Sequence, residues 1–289
     1  MSAPHVTLCF SGSLGCKLSE SSIEIRVPTS WSQQTCEQWV REYLEGAREA
    51  EELKRDGTES LVLRLRGGTV SAIVKLWSRP GWRGSLRTLT QTSPKERELR
   101  ALTALDMAGL PVPKVLGSCR IARSDTPWTE ALFIEDLGKC RPAVGHIKTL
   151  IRSGRIAALE EFLDQVLALT RKMLACGVID TDHSFVNIVT TDDEKLYRID
   201  FEIARVARPG RIRNRDLGTI LGNLIGTYTF AIQPDVQRAE QFAQKLQDQL
   251  APADAALRIA AQRVHSMLVQ QHLRSGIDTQ ITLPWEQGK

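Results

Sequence analysis

The chain has 289 residues, of which 42% are hydrophobic and 25% are charged, with a net charge of +4 at pH 7. This balance excludes a wholly disordered chain, and the length suits one domain with two lobes or two small domains. No run of about eighteen apolar residues occurs, so no membrane-spanning helix is predicted. The positive charge is clustered, which favours a local anionic partner over general coating of nucleic acid.

The N-terminus and the cysteines bear on the cellular location of the protein. The N-terminus lacks a basic start and a long apolar stretch, so we expect no secretion signal. The six cysteines are scattered, without C-x-x-C spacing or a paired histidine pattern, which argues against a zinc site. A cytoplasmic, reduced protein is therefore the expectation.

The first third of the chain predicts a helix followed by a β-hairpin. The helix is expected over residues 36–52, because their apolar side chains fall on one face. Residues 59–77 predict a hairpin, and its second strand carries one lysine, Lys75, among apolar residues. The turn that precedes this hairpin contains Gly57 beside basic side chains, without a full G-x-G-x-x-G pattern.

A second helix is predicted after the lysine strand. Ser93 suits its N-cap, Pro94 its first turn, and Gly109 its end. Within it, Glu98 and Glu96 are the acidic residues near the start. An apolar strand then runs into Glu135-Asp136-Leu137, as in a connection between two parts of a fold.

The rest of the chain is predicted to be mainly helical. A helical apolar stripe covers residues 156–176 and is typical of a core helix. Three further helices are expected over 217–230, 235–250 and 254–273.

The most informative stretch lies between these helices and contains Asp182, Asn187 and Asp200. Two short apolar runs joined by the polar residues 190–195 predict a strand, a tight turn and a second strand. That hairpin would bring Asn187 and Asp200 together, and hard oxygen ligands suit Mg²⁺ and phosphate chemistry. Asp182 would lie in front, where it can orient an attacking hydroxyl. The order and spacing of Asp182, Asn187 and Asp200 predict phosphoryl transfer from ATP.

This stretch resembles the protein-kinase-like superfamily, whose pattern is H-R-D-x-x-x-x-N followed by D-F-G. Here the corresponding residues are Asp180 to Asn187 and then Asp200-Phe201-Glu202. The missing His-Arg pair and the glutamate in place of glycine look more like kinases of small molecules and of lipopolysaccharide. The helix and its Pro-Val-Pro exit turn also resemble that group. The chain looks most like the bacterial lipopolysaccharide kinases that phosphorylate inner-core Kdo or heptose.

The resemblance implies an α+β, bilobal protein-kinase-like fold. Its smaller lobe would be an antiparallel sheet with one helix, over residues 51–135, and its larger, mainly helical lobe would cover 136–289. Residues 1–50 would form an extension of unclear role.

The resemblance also implies roles for individual residues. Lys75 would bind ATP phosphates, with Glu98 as its ion-pair partner and Glu96 as the fallback. Asn187 and Asp200 would hold Mg²⁺, and Asp182 would take the proton of the acceptor hydroxyl. The residues expected to contact the nucleotide are Glu135, Leu137 and Gly57. Glu202 is a further candidate metal carboxylate.

A basic segment follows the metal residues. Its five arginines fall within eleven residues, and guanidinium groups suit carboxylate and phosphate. We expect an anionic sugar acceptor such as lipopolysaccharide inner core to bind there, at the inner face of the inner membrane, and we expect no nucleic acid partner. Asp216 would stiffen the catalytic-loop backbone. The expected acceptor residues are Arg205, Arg208, Arg211 and Arg213, and a second basic group is Arg79, Arg83 and Arg87.

The same residues leave three alternative functions to be considered. An aminoglycoside-type kinase would hold cationic acceptors, which the arginines disfavour. A protein kinase would need an activation loop and an A-P-E motif, which are not recognisable here. A non-catalytic, kinase-shaped regulator fits the weak phosphate loop, but the retained Lys75, Asp182, Asn187 and Asp200 argue against it.

Overall fold

The computed structural model describes residues 31–67, 70–78, 92–123, 125–276 and 279–286. The predicted mixture of helices and an antiparallel sheet is confirmed. Within these residues seven α-helices are found. They are α1 Gln33–Leu44, α2 Pro94–Met107, α3 Ala143–Arg152, α4 Ile156–Ala175, α5 Asn214–Ile232, α6 Val236–Leu250 and α7 Asp254–Ser275. No helix in the described ranges has the length and apolarity needed to span a bilayer.

Ten strands form three sheets in the described residues. The largest sheet has five strands in the order β1-β2-β3-β5-β4, and every neighbouring pair is antiparallel. Strands β6, β8 and β9 form a second sheet, and β7 pairs with β10. The strands are β1 Ala50–Asp56, β2 Ser60–Gly67, β3 Val70–Ser78, β4 Val115–Arg120, β5 Trp128–Glu135, β6 Cys140–Pro142, β7 Val178–Ile179, β8 Ile188–Thr191, β9 Leu196–Arg198 and β10 Arg205–Val206.

Strand β3 of the five-stranded sheet is buried on both faces. Successive side chains of a strand point to opposite faces, so β3 directs Val74 and Leu76 to one face and Lys75 and Trp77 to the other. The first face packs against α1 through Trp39 and its neighbours. The second face joins the core that includes α2 and the helical part of the chain. Lys75 therefore points towards the helices rather than towards solvent.

The prediction of a helix over 36–52 is wrong at its C-terminal end. Helix α1 stops at Leu44, and Gly46 follows with φ +70°, a conformation that glycine adopts without steric cost. The charged residues from 50 onwards pair instead with β2 as strand β1. They lack a buried face of their own, so pairing with β2, the next strand of the same hairpin, decides their structure.

The other element predictions hold. Helix α2 begins with Ser93 as N-cap, whose hydroxyl accepts from the Glu96 N–H. Helix α4 matches the predicted 156–176 core helix. The hairpin after Asn187 is β8 and β9, and the last three predicted helices are α5, α6 and α7.

Helices α5 and α7 approach closely along three glycines spaced four residues apart. A Cβ at Gly222 would lie 2.6 Å from the Cβ of Arg263, and one at Gly218 would lie 2.5 Å from the Ala256 carbonyl oxygen. Gly226 faces Met267 in the same way. Only residues without a side chain allow the two helices to approach so closely, so the three glycines set the distance between α5 and α7.

Candidate active site

Four charged side chains meet where the sheet faces the helices. Lys75 Nζ lies 2.8 Å and 2.9 Å from the two carboxylate oxygens of Glu98, and 2.9 Å from Oδ1 of Asp200. Glu202 Oε1 lies 3.6 Å from the same nitrogen. Glu98 is fully buried and Lys75 nearly so. Glu96, the fallback partner, binds Arg100 instead.

Burial and charge act in opposite directions on these groups. Burial alone would lower the pKa of Lys75, but the attraction of Glu98 and Asp200 outweighs it and raises the pKa. Burial raises the pKa of Glu98 against the attraction of Lys75. For Asp200 the ammonium of Lys75 overcomes burial and lowers the pKa. Lys75 therefore stays protonated and Asp200 stays ionised at neutral pH.

The segment that carries Asp200 has a constrained backbone. Asp200 has φ +67°, in the left-handed region that residues other than glycine adopt uncommonly. The Arg97 Nε–H donates to the Glu202 carbonyl at 2.6 Å and so ties this segment to α2. No local pattern in the sequence indicates the left-handed backbone at Asp200 or the contact from Arg97.

The loop before β8 holds Asp182 and Asn187 together. The Asn187 Nδ2–H donates to Asp182 Oδ2 at 2.7 Å and to the Asp182 carbonyl at 3.0 Å. Asp182 is exposed, whereas the residues around it are buried. The carbonyl of Thr181 accepts from Asn223 Nδ2 at 2.8 Å, and Arg263 Nε donates to Asn223 Oδ1 at 2.7 Å. The closely packed helices α5 and α7 thus support the loop from behind.

A cleft of about 280 Å³ opens beside Lys75. Its wall includes Glu135 and Leu137 at the end of β5, together with Asp200. Gly57 lies in the turn between β1 and β2 with φ +51° and is not among the described residues that line the cleft. Lys54 lines the cleft, because β1 rather than the turn covers it.

The arginine segment divides into two groups. Arg205 and Arg213 both donate to the buried carboxylate of Asp216. Arg208, Arg211 and Arg215 are exposed, and none of the three has an acidic partner within the described part of the chain. Arg79, Arg83 and Arg87 lie outside the described residues.

The prediction that Asp216 hydrogen-bonds the catalytic-loop backbone needs correction. Both of its oxygens accept from arginines of the segment that follows Asp200. The burial that these arginines offset would by itself raise the pKa of Asp216, yet the pKa is lowered. The loop backbone is held instead by Asn223. Asp216 therefore shapes the arginine segment, whose residue Arg205 pairs with β7 as part of β10.

Sequence reasoning missed a buried polar network beneath the loop. Arg198, with no exposed surface, forms an ion pair with the equally buried Asp180. It also donates to His183 Nδ1 at 3.1 Å and to the Asn187 carbonyl at 3.0 Å. A strand of three residues ending in arginine resembles a surface strand, so no local pattern indicates that this guanidinium is buried.

The acidic groups fit a divalent cation. Carboxylate oxygens of Glu98, Asp200 and Glu202 lie within 4.8 Å of one another, and Lys75 supplies one positive charge among them. Both oxygens of Glu98 contact Lys75, so Asp200 and Glu202 are the carboxylates of this group that remain for Mg²⁺, which prefers oxygen ligands.

Comparison with known proteins identifies the family. The sequence profile of the lipopolysaccharide kinase (Kdo/WaaP) family matches residues 30–250. The chain belongs to this family. A kinase of the Kdo/WaaP family is a phosphotransferase, so the predicted enzyme class and the predicted resemblance agree with the match. No curated protein matches the chain by sequence.

A solved structure, described as WaaP in complex with acyl carrier protein, is similar to this Kdo/WaaP family member. The TM-score is 0.55 at 14% sequence identity, and the alignment covers 80% of this chain and 95% of the other. At this identity the likeness shows the fold alone.

Proposed function

We propose that the protein transfers the γ-phosphate of ATP, with Mg²⁺, to a sugar hydroxyl of an anionic acceptor, the Kdo or heptose of lipopolysaccharide inner core. The observation that carries the proposal is the buried Lys75–Glu98 pair, which contacts Asp200 at the wall of a cleft. Family membership supports the same reaction. In this proposal the fold is bilobal, with residues 51–135 as the smaller lobe, 136–289 as the larger and 1–50 as an extension.

The cleft suits a nucleotide. Ile73 and Ile134 give it an apolar wall for a base, and Glu135 and Leu137 line its edge, where backbone groups that the sheet does not use would meet the polar atoms of the base. Lys75 lies at the other end, where its ammonium would bind phosphate oxygens. Glu98 keeps the lysine in place and protonated.

Asn187 and Asp200 would hold the metal ion. Asn187 uses its Nδ2–H groups on Asp182, which leaves its amide oxygen for a cation. Glu202 offers a further carboxylate beside Lys75. When bound, Mg²⁺ neutralises the charge that develops on the phosphate oxygens.

Asp182 would receive the acceptor hydroxyl. Its Oδ2 accepts from Asn187, so Oδ1 remains to accept the hydroxyl hydrogen of the sugar. The carboxylate orients that hydroxyl towards the phosphate and takes its proton late in the reaction. Positioning and charge neutralisation account for most of the acceleration.

The acceptor group of arginines is narrower than the sequence predicts. Arg205 and Arg213 are bound to Asp216, so of the four predicted acceptor arginines Arg208 and Arg211 remain to bind an anionic sugar. Arg211→Glu should raise the acceptor KM, more steeply at low salt, because exposed charges are screened by ions. Arg171→Glu, at an exposed position on α4, is the matched control and should leave KM unchanged. An unchanged acceptor KM in Arg211→Glu would mean that the arginine segment is a surface loop without a role in acceptor binding.

The direct test uses purified protein, Mg²⁺ and γ-labelled ATP. Deacylated inner-core lipopolysaccharide is offered beside a panel of aminoglycosides and a generic protein. We expect label on the lipopolysaccharide that Asp182→Asn abolishes. Label on an aminoglycoside or on the generic protein would mean that this molecule, and not lipopolysaccharide, is the acceptor. ATP binding without any transfer would support a regulatory, non-catalytic protein.

A further inference from the structure

Arg198 is a buried cation at the junction of the two chain segments that carry the proposed catalytic residues. It ends β9, two residues before Asp200, and lies opposite Ile188 of β8. Its guanidinium donates to the Asn187 carbonyl and to His183 Nδ1, and it lies 4.7 Å from the centre of the Phe201 ring. One side chain thus touches the loop before β8 and the segment after β9.

Asp180 completes the charge balance of this junction. One oxygen of its carboxylate receives the Arg198 guanidinium, and the other accepts the Asp182 N–H at 3.0 Å. The ion pair therefore reaches the backbone of Asp182 itself. A planar guanidinium spreads five N–H donors over three nitrogens and so spans these separate partners, whereas the ammonium of a lysine has three donors on a single nitrogen.

His183 is held in one tautomer by its neighbours. The Thr170 hydroxyl donates to the Val166 carbonyl at 2.8 Å, so its oxygen accepts from His183 Nε2–H at 2.8 Å. Nδ1 then has a lone pair, and this is the atom to which Arg198 donates. Burial and the nearby guanidinium keep the pKa of His183 well below its usual range, so the ring stays neutral.

We propose that Arg198 is a positioning residue for phosphoryl transfer. Through its contacts with His183, Asn187 and Asp180, it holds the loop that carries Asp182 and Asn187 in place relative to Asp200. The proposal rests on the proposed function. In the wider pattern the loop begins with His-Arg, whereas here that pair is absent and a guanidinium from β9 contacts the loop. The loop and the metal segment are therefore cross-linked by side chains as well as by the backbone bond from Ile199 N–H to the Asn187 carbonyl.

The test separates positioning from stability with three variants. Arg198→Met removes the cation, Arg198→Lys keeps it without the planar fork, and Arg198→Met with Asp180→Asn removes both charges. Arg171→Met on the surface of α4 is the matched control. For each protein we measure the melting temperature, kcat, and the KM values for ATP and for the sugar acceptor.

We expect Arg198→Lys and the double variant to recover much of the melting temperature lost in Arg198→Met. Their kcat should stay about 100-fold below wild type, since a misplacement of about 1 Å has that effect, while both KM values change little. Recovery of kcat together with the melting temperature would overturn the proposal and leave Arg198 a purely structural residue. So would a normal kcat in Arg198→Met.

Amide hydrogen exchange distinguishes this proposal from the proposed reaction. In Arg198→Met, exchange should rise in peptides covering 180–190 and stay constant in α4. If wild type transfers no phosphate to any acceptor, the proposed function fails, and the exchange result still decides whether Arg198 orders the loop. Unchanged exchange in 180–190 would refute that ordering.

Discussion

Replacing Lys75 by methionine leaves Glu98 as a fully buried carboxylate without its cation. Glu98 has no exposed surface, and the nearest other charges are the carboxylates of Asp200 and Glu202. An ionised group in that position is strongly disfavoured, so Glu98 should take up a proton in the variant. The loss of stability is then the cost of protonating a glutamate at the working pH.

That cost follows from the ordinary glutamate pKa of 4.5. At pH 7 the difference is about 2.5 pH units, which at about 1.36 kcal/mol each gives about 3.4 kcal/mol. This value lies within the range of about 3 to 5 kcal/mol found when one partner of a buried ion pair is removed. At pH 5.5 the same arithmetic gives about 1.4 kcal/mol.

The sign of the pH dependence is fixed by the variant's Glu98. Its pKa in the folded state lies above that in the unfolded state, so the proton bound on folding stabilises the variant more as the pH falls. That contribution is complete below pH 4.5 and is lost as the pH rises through the folded-state pKa. The deficit relative to wild type should therefore shrink between pH 7 and pH 5.5.

Urea unfolding at the two pH values measures this deficit directly. Lys148→Met, at an exposed position on α3, is the matched control and should change the free energy of unfolding by less than about 0.5 kcal/mol. A deficit in Lys75→Met that is the same at both pH values would refute the reasoning. It would mean that Glu98 stays ionised without Lys75 or that it is already neutral in the wild type.

Three further predictions concern the proposed base, the metal site and the α5–α7 contact. Asp182→Asn should lower kcat by about 10² to 10⁴ with the ATP dissociation constant unchanged, and a change confined to ATP affinity would remove Asp182 from the base role. Asp200→Asn should abolish the gain in nucleotide affinity that Mg²⁺ produces in calorimetry; a retained gain contradicts the metal assignment. Gly222→Ala forces a Cβ to 2.6 Å from that of Arg263 and should lower stability by about 1 to 3 kcal/mol. Gly145→Ala on α3 meets only ordinary contacts and should raise the melting temperature instead.

Local signals were sufficient to predict helices α2, α4, α5, α6 and α7 and the β8–β9 hairpin, whereas α3 was not predicted and α1 was predicted too long. Helix α4 follows from an apolar stripe, and α2 follows from Ser93 and Pro94 at its start. Such signals lie within a few residues of the element that they describe. The strand that begins at residue 50 was not predicted, because all of its side chains are exposed and no alternation of apolar and polar residues marks it; it is held by pairing with β2 across a short turn.

The side chains at the site show the same limit. The ordered motifs were enough to single out Lys75, Asp182 and Asp200, whose catalytic roles stay predictions. The partner of Asp216 and the burial of Arg198 depend on which chain segments meet in three dimensions. Nothing in the sequence distinguishes a buried charged residue from an exposed one, so only the three-dimensional structure shows these contacts.

Helix α1 gives the residues before 51 a part in the fold. Cys36, Trp39 and Val40 are buried with the face of the sheet that β3 presents through Val74 and Leu76. A chain shortened to begin at residue 51 would leave that face of the sheet uncovered and would expose a broad apolar surface to water. Such a surface promotes aggregation, so a shortened protein found inactive would say nothing about the chemistry of Lys75 on the opposite face.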